Sequence, residues 1–487
     1  MISKIKPMEK AYVTKNTKIN NINILIILML ALFNFCFLGT EYYFDNAVGK
    51  WCDNAGVVFS QNIILGASVI GFLLYGVITD KLKEISLKVF SVAMIILSIA
   101  CLVVIASGQS YELTLVAGII CFAIMGMAGS ATCYFASIKV IKLANLAKIV
   151  GFAYGLGVCI QYINNNLIDE AYEIIVISVC VVLFGLILRI VNKAEEVERV
   201  SEEDSFKFVD IKDARPPIIA LMFCVAFMTI VFSTLDNAVT LVHASGDFNI
   251  GQWPRLILAV SGIAAGFLYD INKRKSMPAM MYIVTILSVI AIIIIKLGGS
   301  FVIGLMIFYI AAGFFVVFFM TGFMDISYYT QKPKLFAGLG RAINNLCAII
   351  VTGISVKLIE TNSQMSILIV ALVLFALISV CMLVYYRAFI VAENAEKLQK
   401  ALEEFAVMQR EKKETDKLSL FIEEHKLTPR ESDVLKELIN DGETVTEISK
   451  KLAISRATLY RHIAKINEKT NTDSRMALVQ YYHKWNA

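Results

Sequence analysis

Long apolar runs separated by short polar segments dominate the first 386 residues of the chain. Each run is long enough, or nearly so, to cross about 30 Å of hydrocarbon as an α-helix. The composition agrees, since 58% of the residues are hydrophobic, more than is usual in a soluble protein. We therefore predict twelve membrane-spanning helices, near residues 22–39, 61–78, 87–106, 113–136, 149–163, 174–191, 218–234, 253–269, 279–297, 301–323, 335–357 and 364–386.

The positive charges of the polar segments predict the orientation of these helices. Lysines and arginines concentrate in the N-terminal segment and in every second loop after it, whereas the opposite loops carry only Lys50, Arg255, Lys296 and Lys357. Loops rich in positive charge stay on the cytoplasmic side. We expect a multi-pass protein of the cytoplasmic membrane with both termini in the cytoplasm. The first run lacks a cleavage site after it, which favours a retained span over a signal peptide.

Short patterns recur at matching places in the two halves of the membrane part. The matched pairs are FDNAV (44–48) with LDNAV (235–239), the Gly-xxx-Asp segments at 76–80 and 266–270, and AYGLG (153–157) with FAGLG (336–340). Three matches in the same order indicate a parallel repeat of two six-helix halves.

This organisation resembles the major facilitator superfamily, and the Gly-xxx-Asp segments resemble the cytoplasmic loop motif of that family. Lys83 stands where a second glycine is usual, and only the second copy has a tight basic ending, formed by Lys273, Arg274 and Lys275. The resemblance covers about residues 1–386 and implies the fold of that superfamily.

A charged segment without glycine or proline, residues 387–426, follows the last apolar run. It contains a short seam of apolar residues at spacings of four and three, Val391, Ala395, Leu398, Leu402 and Phe405. This is the spacing of a coiled coil, but two heptads are few. Two interpretations stay open: a solvated helical linker, or a helix that assists dimerisation.

Four helices are predicted after this segment from their capping signals. Thr428 with Glu431 and Thr444 with Glu447 form capping boxes, and Ser455 caps a third helix. The short segment "AIS" joins the second and third helices, which together form a helix-turn-helix. In such a motif the second helix lies in the major groove of DNA.

Residues 427–482 resemble the LuxR/NarL-type DNA-binding domain. The matching residues are Leu427, Thr428, Arg430, Glu431, Glu447, Ile448, Leu452, Ile454, Ser455, Thr458, His462, Ile466, Lys469 and Arg475. Departures from the usual residues occur at Val445, Thr446, Tyr460, Thr470 and Thr472. The resemblance implies binding to promoter DNA, with candidate contacts at Thr444, Thr446, Ser455, Arg456, Thr458, Tyr460, Arg461, His462, Lys465 and Lys469.

Among these candidates, we expect Arg456 and Arg461 to lie near base edges and Lys469 to contact a phosphate. The alternative for the tail is a four-helix protein-interaction module, because its basic residues only slightly outnumber its acidic ones.

The deepest charged residue of the apolar runs is Arg341, with Asn344 and Asn345 beside it. An ionisable residue inside a span is costly and marks a functional site, and sites in this kind of fold lie between the halves. Asn34 and Gln161 are the polar candidates from the first half. A guanidinium suits a carboxylate, a phenolate or another electron-rich ligand. Alternatively, Arg341 lies near enough to the end of its run to reach the cytoplasmic surface.

Few carboxylates are expected deep in the spans, because Glu41, Asp45 and Asp236 fall at run ends or in outer loops. Ion-coupled transporters often carry buried carboxylates, so this modestly favours a sensor. Nine of the ten cysteines lie in apolar runs, which is typical of buried thiols rather than disulfides. No phosphate-binding loop, HExxH or CxxC motif is present, and we predict no enzyme, metal or cofactor.

The fold class predicted is all-α: a twelve-helix, major-facilitator-like bundle followed by a soluble four-helix LuxR-type domain. The expected parts are a first half (residues 1–191), a central loop (192–217), a second half (218–386), a linker (387–426) and a DNA-binding domain (427–487). We expect a one-component regulator that senses an unknown small molecule within the lipid bilayer and binds promoter DNA. Pairing as a homodimer on DNA stays an open interpretation. The alternatives are a transporter whose tail regulates its own gene and a transporter whose tail binds only protein.

Overall fold

The structure is a computed structural model that divides the chain into two compact units, Met1–Ile390 and Val391–Ala487. We call these the membrane unit and the tail unit. Every element described in either unit is helical. The described residues are 5–82, 84–140, 145–201, 215–244, 252–296, 300–327, 330, 332–360, 369–370, 372–387, 408, 414–439 and 444–485.

The membrane unit is built from two successive sets of helices. The first set comprises α1 Ile5–Val48, α2 Asn54–Lys81, α3 Glu84–Ser107, α4 Tyr111–Val140, α5 Leu146–Leu167 and α6 Glu170–Ser201. The second comprises α7 Arg215–Ala244, α8 Pro254–Tyr269, α9 Met277–Lys296, α10 Phe301–Ser327, the one-turn α11 Pro333–Phe336, α12 Leu339–Glu360 and α13 Leu372–Arg387. Large apolar side chains such as Ile96, Ile354 and Leu383 are exposed, as expected of helices that contact lipid.

Helices long and apolar enough to cross a membrane number eight within the described part of the chain. The remaining predicted runs correspond to shorter apolar helices, Pro254–Tyr269, Met277–Ile290, Leu339–Ser355 and Leu372–Arg387. A multi-pass, all-helical fold is therefore confirmed, whereas the number of twelve spans stays a prediction.

Small residues allow helices from the two halves to approach closely. A Cβ atom added at Gly151 of α5 would lie 2.8 Å from the Cα atom of Gly266 in α8. The reverse addition at Gly266 would lie 3.1 Å from the Cα atom of Gly151. Because a larger side chain at either position would collide with backbone, these glycines permit the contact between α5 and α8.

The recurring Gly-xxx-Asp segments each contact the other half of the membrane unit. Asp80 at the end of α2 lies 2.6 Å from the Lys334 Nζ of α11. Asp270 after α8 accepts hydrogen bonds from the backbone N–H groups of Ala147 and Lys148 at 3.3 and 2.8 Å. The repeat therefore places equivalent carboxylates at corresponding contacts between the halves.

Arg274 extends the second of these contacts into an ion-pair network. Its Nη1 lies 3.3 Å from Asp270 Oδ1, and its Nη2 lies 2.9 Å from Asp325 Oδ1 in α10. Arg274 itself is buried. The basic ending that distinguishes the second motif copy thus stabilises the junction of α8, α10 and the start of α5.

The tail unit contains a helix at 414–424, followed by α14 Pro429–Ile439, α15 Val445–Lys451, α16 Arg456–Thr470 and α17 Arg475–Lys484. The capping boxes form as predicted. The backbone N–H of Thr428 donates to Glu431 Oε2, and that of Thr444 donates to Glu447 Oε2, both at 2.8 Å.

The core of the tail unit begins earlier in the chain than the expected boundary at residue 427. Phe421, on the helix at 414–424, is fully buried. Its ring centroid lies 5.2 Å from those of both Tyr482 and Trp485. The end of the expected linker therefore packs into this core, and the predicted seam Val391–Phe405 lies outside the described residues.

Candidate nucleic-acid interface and ligand site

A tight turn joins α15 to α16. Ala453 adopts a left-handed backbone conformation with φ of 54°. The backbone N–H of Ile454 then donates to the carbonyl oxygen of Ser449 at 3.0 Å, which closes the end of α15. On the other side of the turn, Ser455 Oγ accepts a hydrogen bond from the backbone N–H of Thr458 at 3.1 Å and begins α16.

Helix α16 has one buried face and one exposed face. Leu459, Ile463 and Ile466 are buried in the tail core. Outside this buried stripe, four exposed side chains form what we call the recognition face: Arg456, Tyr460, Arg461 and Lys465. This face presents three positive charges and one phenol to solvent, which suits phosphate oxygens and base edges.

Three other predicted contacts use their hydroxyl groups within the tail. Thr444 caps α15, and the Ser455 hydroxyl lies 2.8 Å from that of Thr458 at the start of α16. Thr446 and His462 are half-buried. These five residues lie around the helix starts and beside the recognition face, so contacts with DNA would add to a structural role.

Lys469 also has an internal role that the sequence did not indicate. Its Nζ donates to Glu431 Oε2 at 2.6 Å and to the carbonyl oxygen of Lys426 at 2.9 Å. Burial alone would raise the pKa of the Glu431 carboxyl, but hydrogen bonds from Lys469 and Thr428 hold that pKa below its usual value. Lys469 therefore ties α16 to the start of α14, and its phosphate contact stays a prediction.

Residues 425–482 match the family described as bacterial regulatory proteins, luxR family. The match begins at the end of the helix at 414–424 and ends within α17, so it spans the whole helix-turn-helix. The tail carries a LuxR-type DNA-binding domain. No curated protein matches the chain in sequence.

Solved transporter structures share the fold of the membrane unit. The human organic anion transporter MFSD10 is 14% identical, with a TM-score of 0.51 over 76% of this chain and 99% of that chain. An auto-inhibited peptide transporter of the POT family is 12% identical, with a TM-score of 0.50 over 77% and 97%. The proton:xylose symporter XylE of the major facilitator superfamily is 14% identical, with a TM-score of 0.52 over 76% and 96%. At such low identities these likenesses show the fold alone, which is that of a major facilitator.

Within this fold, Arg341 lies on α12 and is buried, with only 7% of its surface exposed to solvent. The guanidinium carbon lies 4.9 Å from the ring centroid of Phe37 in α1 and 5.9 Å from that of Phe319 in α10. The alternative in which Arg341 reaches the cytoplasmic surface is therefore wrong, because the side chain packs between aromatic rings inside the membrane unit.

The neighbouring asparagines take part in contacts between helices. Thr229 Oγ1 of α7 donates to Asn344 Oδ1 at 3.2 Å. Asn345 Nδ2 donates to Ser68 Oγ of α2 at 2.8 Å. These two candidate ligand residues therefore connect α12 to both halves of the membrane unit.

The two first-half candidates differ in how well their polar atoms are satisfied. Asn34 Nδ2 donates to the carbonyl oxygen of Leu30 at 2.9 Å, but its buried Oδ1 accepts no hydrogen bond from any described residue. Gln161 Nε2 donates to the carbonyl oxygen of Leu38 at 3.0 Å, and its Oε1 accepts from Arg255 Nε at 3.4 Å. Asn34 is thus the better placed of the two to bind a further donor.

Glu41 and Asp45 lie in the last eight residues of α1, near the end of its apolar span, and they contact α2. Gln61 Nε2 of α2 donates to Glu41 Oε1 and Asp45 Oδ2, both at 3.0 Å. Asp236 and Arg255 from the second half lie near enough to interact electrostatically with Asp45. The FDNAV and LDNAV repeat was the available signal, because it places Asp45 and Asp236 at equivalent positions.

Proposed function

We propose that this chain is a one-component transcription regulator of the cytoplasmic membrane. The membrane unit binds a small molecule, and the LuxR-type tail binds promoter DNA. The observation that carries this proposal is the exposed, positively charged recognition face of a LuxR-type domain on the same chain as a major-facilitator fold. The membrane unit is then the input and the tail the output.

Coupling requires a ligand that binds two conformations of the membrane unit with different affinity. Major-facilitator folds place such ligands between their halves. Arg341, Asn344 and Asn345 on α12 belong to contacts that involve both halves. A ligand near α12 would therefore alter the packing of the halves, and the segment after α13 would carry this change to the tail.

Transcript profiling tests this function. We expect a deletion strain to change expression of a small set of genes, with complementation by wild-type protein. The double variant Arg456→Ala/Arg461→Ala should fail to complement, whereas Lys484→Ala, an exposed basic residue at the end of α17, should complement fully. Complementation by the double variant at normal protein level would contradict DNA binding through this face.

The orientation of the chain is part of the proposal, because the tail must lie in the cytoplasm to reach DNA. The distribution of lysine and arginine supports this orientation. A phosphatase fused after Tyr386 should be inactive, and a fluorescent protein fused there should be bright. The opposite result would place the tail outside the cell and exclude the function.

A transporter with an autoregulatory tail is the second candidate, and it is favoured by the hydrogen bonds of Gln61 to the half-buried Glu41 and the buried Asp45. Buried carboxylates are common where membrane proteins move ions or protons. Steep accumulation of an inducer in proteoliposomes, lost in Glu41→Gln, would support transport. Binding of inducer without accumulation would support the sensor.

A LuxR-type domain reads one half-site, and paired domains read two half-sites about one helical turn apart. We therefore propose that two copies bind DNA together. The test compares how the full-length chain and a chain that lacks residues 387–413 bind the same promoter. Equal footprints and equal affinities would exclude a role of that segment in dimerisation.

A further inference from the structure

Two nitrogens of the Arg341 guanidinium have no hydrogen-bond partner among the described residues. Neither Nε nor Nη2 is hydrogen-bonded to any residue that the structure describes, although both atoms are fully buried. A buried charge without hydrogen bonds destabilises a protein by several kcal/mol unless a counter-charge compensates it. The two aromatic rings beside it compensate only part of this cost, since a cation–π contact is a weaker interaction.

Arg274 shows what the same two nitrogens do when a carboxylate is present. Its Nε donates to Asp325 Oδ2 at 3.1 Å, and its Nη2 donates to Asp325 Oδ1 at 2.9 Å. Nε and Nη2 form one edge of the planar guanidinium, and two parallel hydrogen bonds from that edge match the two oxygens of a carboxylate. Arg341 presents the same edge within the membrane unit.

No nearby carboxylate of the described residues fills this role for Arg341. Glu41 is near enough to interact electrostatically with the guanidinium. However, Glu41 Oε1 accepts a hydrogen bond from Gln61, which holds it beside Asp45. The edge of Arg341 is therefore left without a carboxylate among the described residues.

We infer that the Nε–Nη2 edge of Arg341 binds the carboxylate of a small apolar monocarboxylate. This inference rests on the proposed function, because it names the ligand class of the sensing unit. Phe37 and Phe319 flank the guanidinium and are buried, so the body of the ligand meets aromatic surface. A second carboxylate on the ligand would lose its hydration against these rings, which disfavours a dicarboxylate.

The test measures the melting temperature (Tm) of the purified full-length protein with four closely matched probes: benzoate, benzamide, benzylamine and isophthalate. A ligand that binds only the folded state stabilises it by RT ln(1 + L/Kd), where L is the ligand concentration, so Tm rises with the logarithm of that concentration once it exceeds the dissociation constant. We expect benzoate to raise Tm. Benzamide, which has the same shape without the charge, should need at least about tenfold more ligand for the same shift, because it cannot accept two charge-assisted hydrogen bonds. Benzylamine should have no effect, and isophthalate should bind less well than benzoate.

Arg341→Lys keeps the positive charge and removes the paired edge, so it should abolish the benzoate shift. Lys50→Gln removes an exposed positive charge at the end of α1 and should leave the shift unchanged. If Arg341→Lys does not fold, the comparison of benzoate with benzamide in the wild-type protein still tests whether a charged carboxylate is required. Equal shifts with benzoate and benzamide, a shift retained in Arg341→Lys, or no shift with benzoate would each overturn the inference.

The outcome is separable from that of the proposed function. Loss of carboxylate binding with normal complementation in the transcript experiment would overturn the ligand class alone. Carboxylate binding in a protein whose recognition-face variants complement fully would overturn the regulator alone.

Discussion

Two arginines of the recognition face and two arginines of the membrane unit are placed in opposite ways. Arg456 and Arg461 are exposed on α16, where water can solvate the charge. Arg274 and Arg341 are buried, so each must be compensated by a counter-charge or a ring. A change at the exposed arginines should therefore alter DNA binding without altering the stability of the tail. A change at the buried arginines should alter the stability of the membrane unit as well as its function.

The largest expected effect concerns the buried ion pair of the membrane unit. Asp325→Asn should destabilise the protein by about 3 kcal/mol, because it leaves the buried Arg274 with only its longer contact to Asp270. Asp80→Asn is the matched control: it breaks the more exposed Asp80–Lys334 pair and should cost about 1 kcal/mol or less. Thermal unfolding of both variants in the same detergent checks this, and equal losses would contradict the contrast between buried and exposed pairs.

A change on the recognition face should affect DNA binding without affecting folding. Arg461→Ala should weaken binding to the target promoter by about 1–3 kcal/mol if it reads a guanine edge. Lys465→Ala should instead weaken binding to all sequences and reduce the salt slope by about 1 if it contacts a phosphate. Titrations with the full-length protein in nanodiscs measure both. A loss of thermal stability of similar size would mean that this face supports the fold.

The buried Glu431 is a residue of the tail whose charge should contribute to stability. Glu431→Gln should destabilise the tail by about 1–2 kcal/mol, because Lys469 and Thr428 lose their charged acceptor. Since the folded-state pKa of Glu431 is lowered, its contribution is present above the ordinary pKa of about 4.3 and is lost as the pH falls through the folded-state pKa. Unfolding of wild type and variant between pH 7 and pH 3 should therefore converge at low pH. A constant difference would contradict this account.

The smallest expected effect is at the turn between α15 and α16. Ala453 has a positive φ, which is strained for a residue with a Cβ atom. Ala453→Gly removes this strain and should stabilise the tail by about 1 kcal/mol or less, after the entropic cost of glycine is subtracted. DNA affinity should not change. Destabilisation by more than this amount would show that the turn has a different conformation in solution.

Helix content in both units and capping in the tail could be predicted from the sequence, because they depend on local patterns. The apolar runs predicted the spans, and the boxes at Thr428 and Thr444 predicted where α14 and α15 begin. These signals lie within a few residues of the structure that they determine.

Contacts between distant segments could not be predicted in the same way. Glu41 and Asp45 lie within a helix because α1 continues beyond the first apolar run, and neighbouring helices pack around it. The rings that enclose Arg341 come from α1 and α10, far from it in sequence. Likewise, the bond from Lys469 to Glu431 joins residues on different helices, so neither residue's own surroundings in the sequence indicated it.

Chromatin immunoprecipitation of the full-length protein in its membrane tests the central claim most directly. The account predicts enrichment of one or a few promoters by the wild-type protein, with expression of those genes altered in the deletion strain. The same enrichment should disappear in Arg456→Ala/Arg461→Ala and persist in Lys484→Ala, with all three proteins at equal level in the membrane fraction. Promoter enrichment that is equal in the wild type and the double variant, or absent from both, would contradict the account.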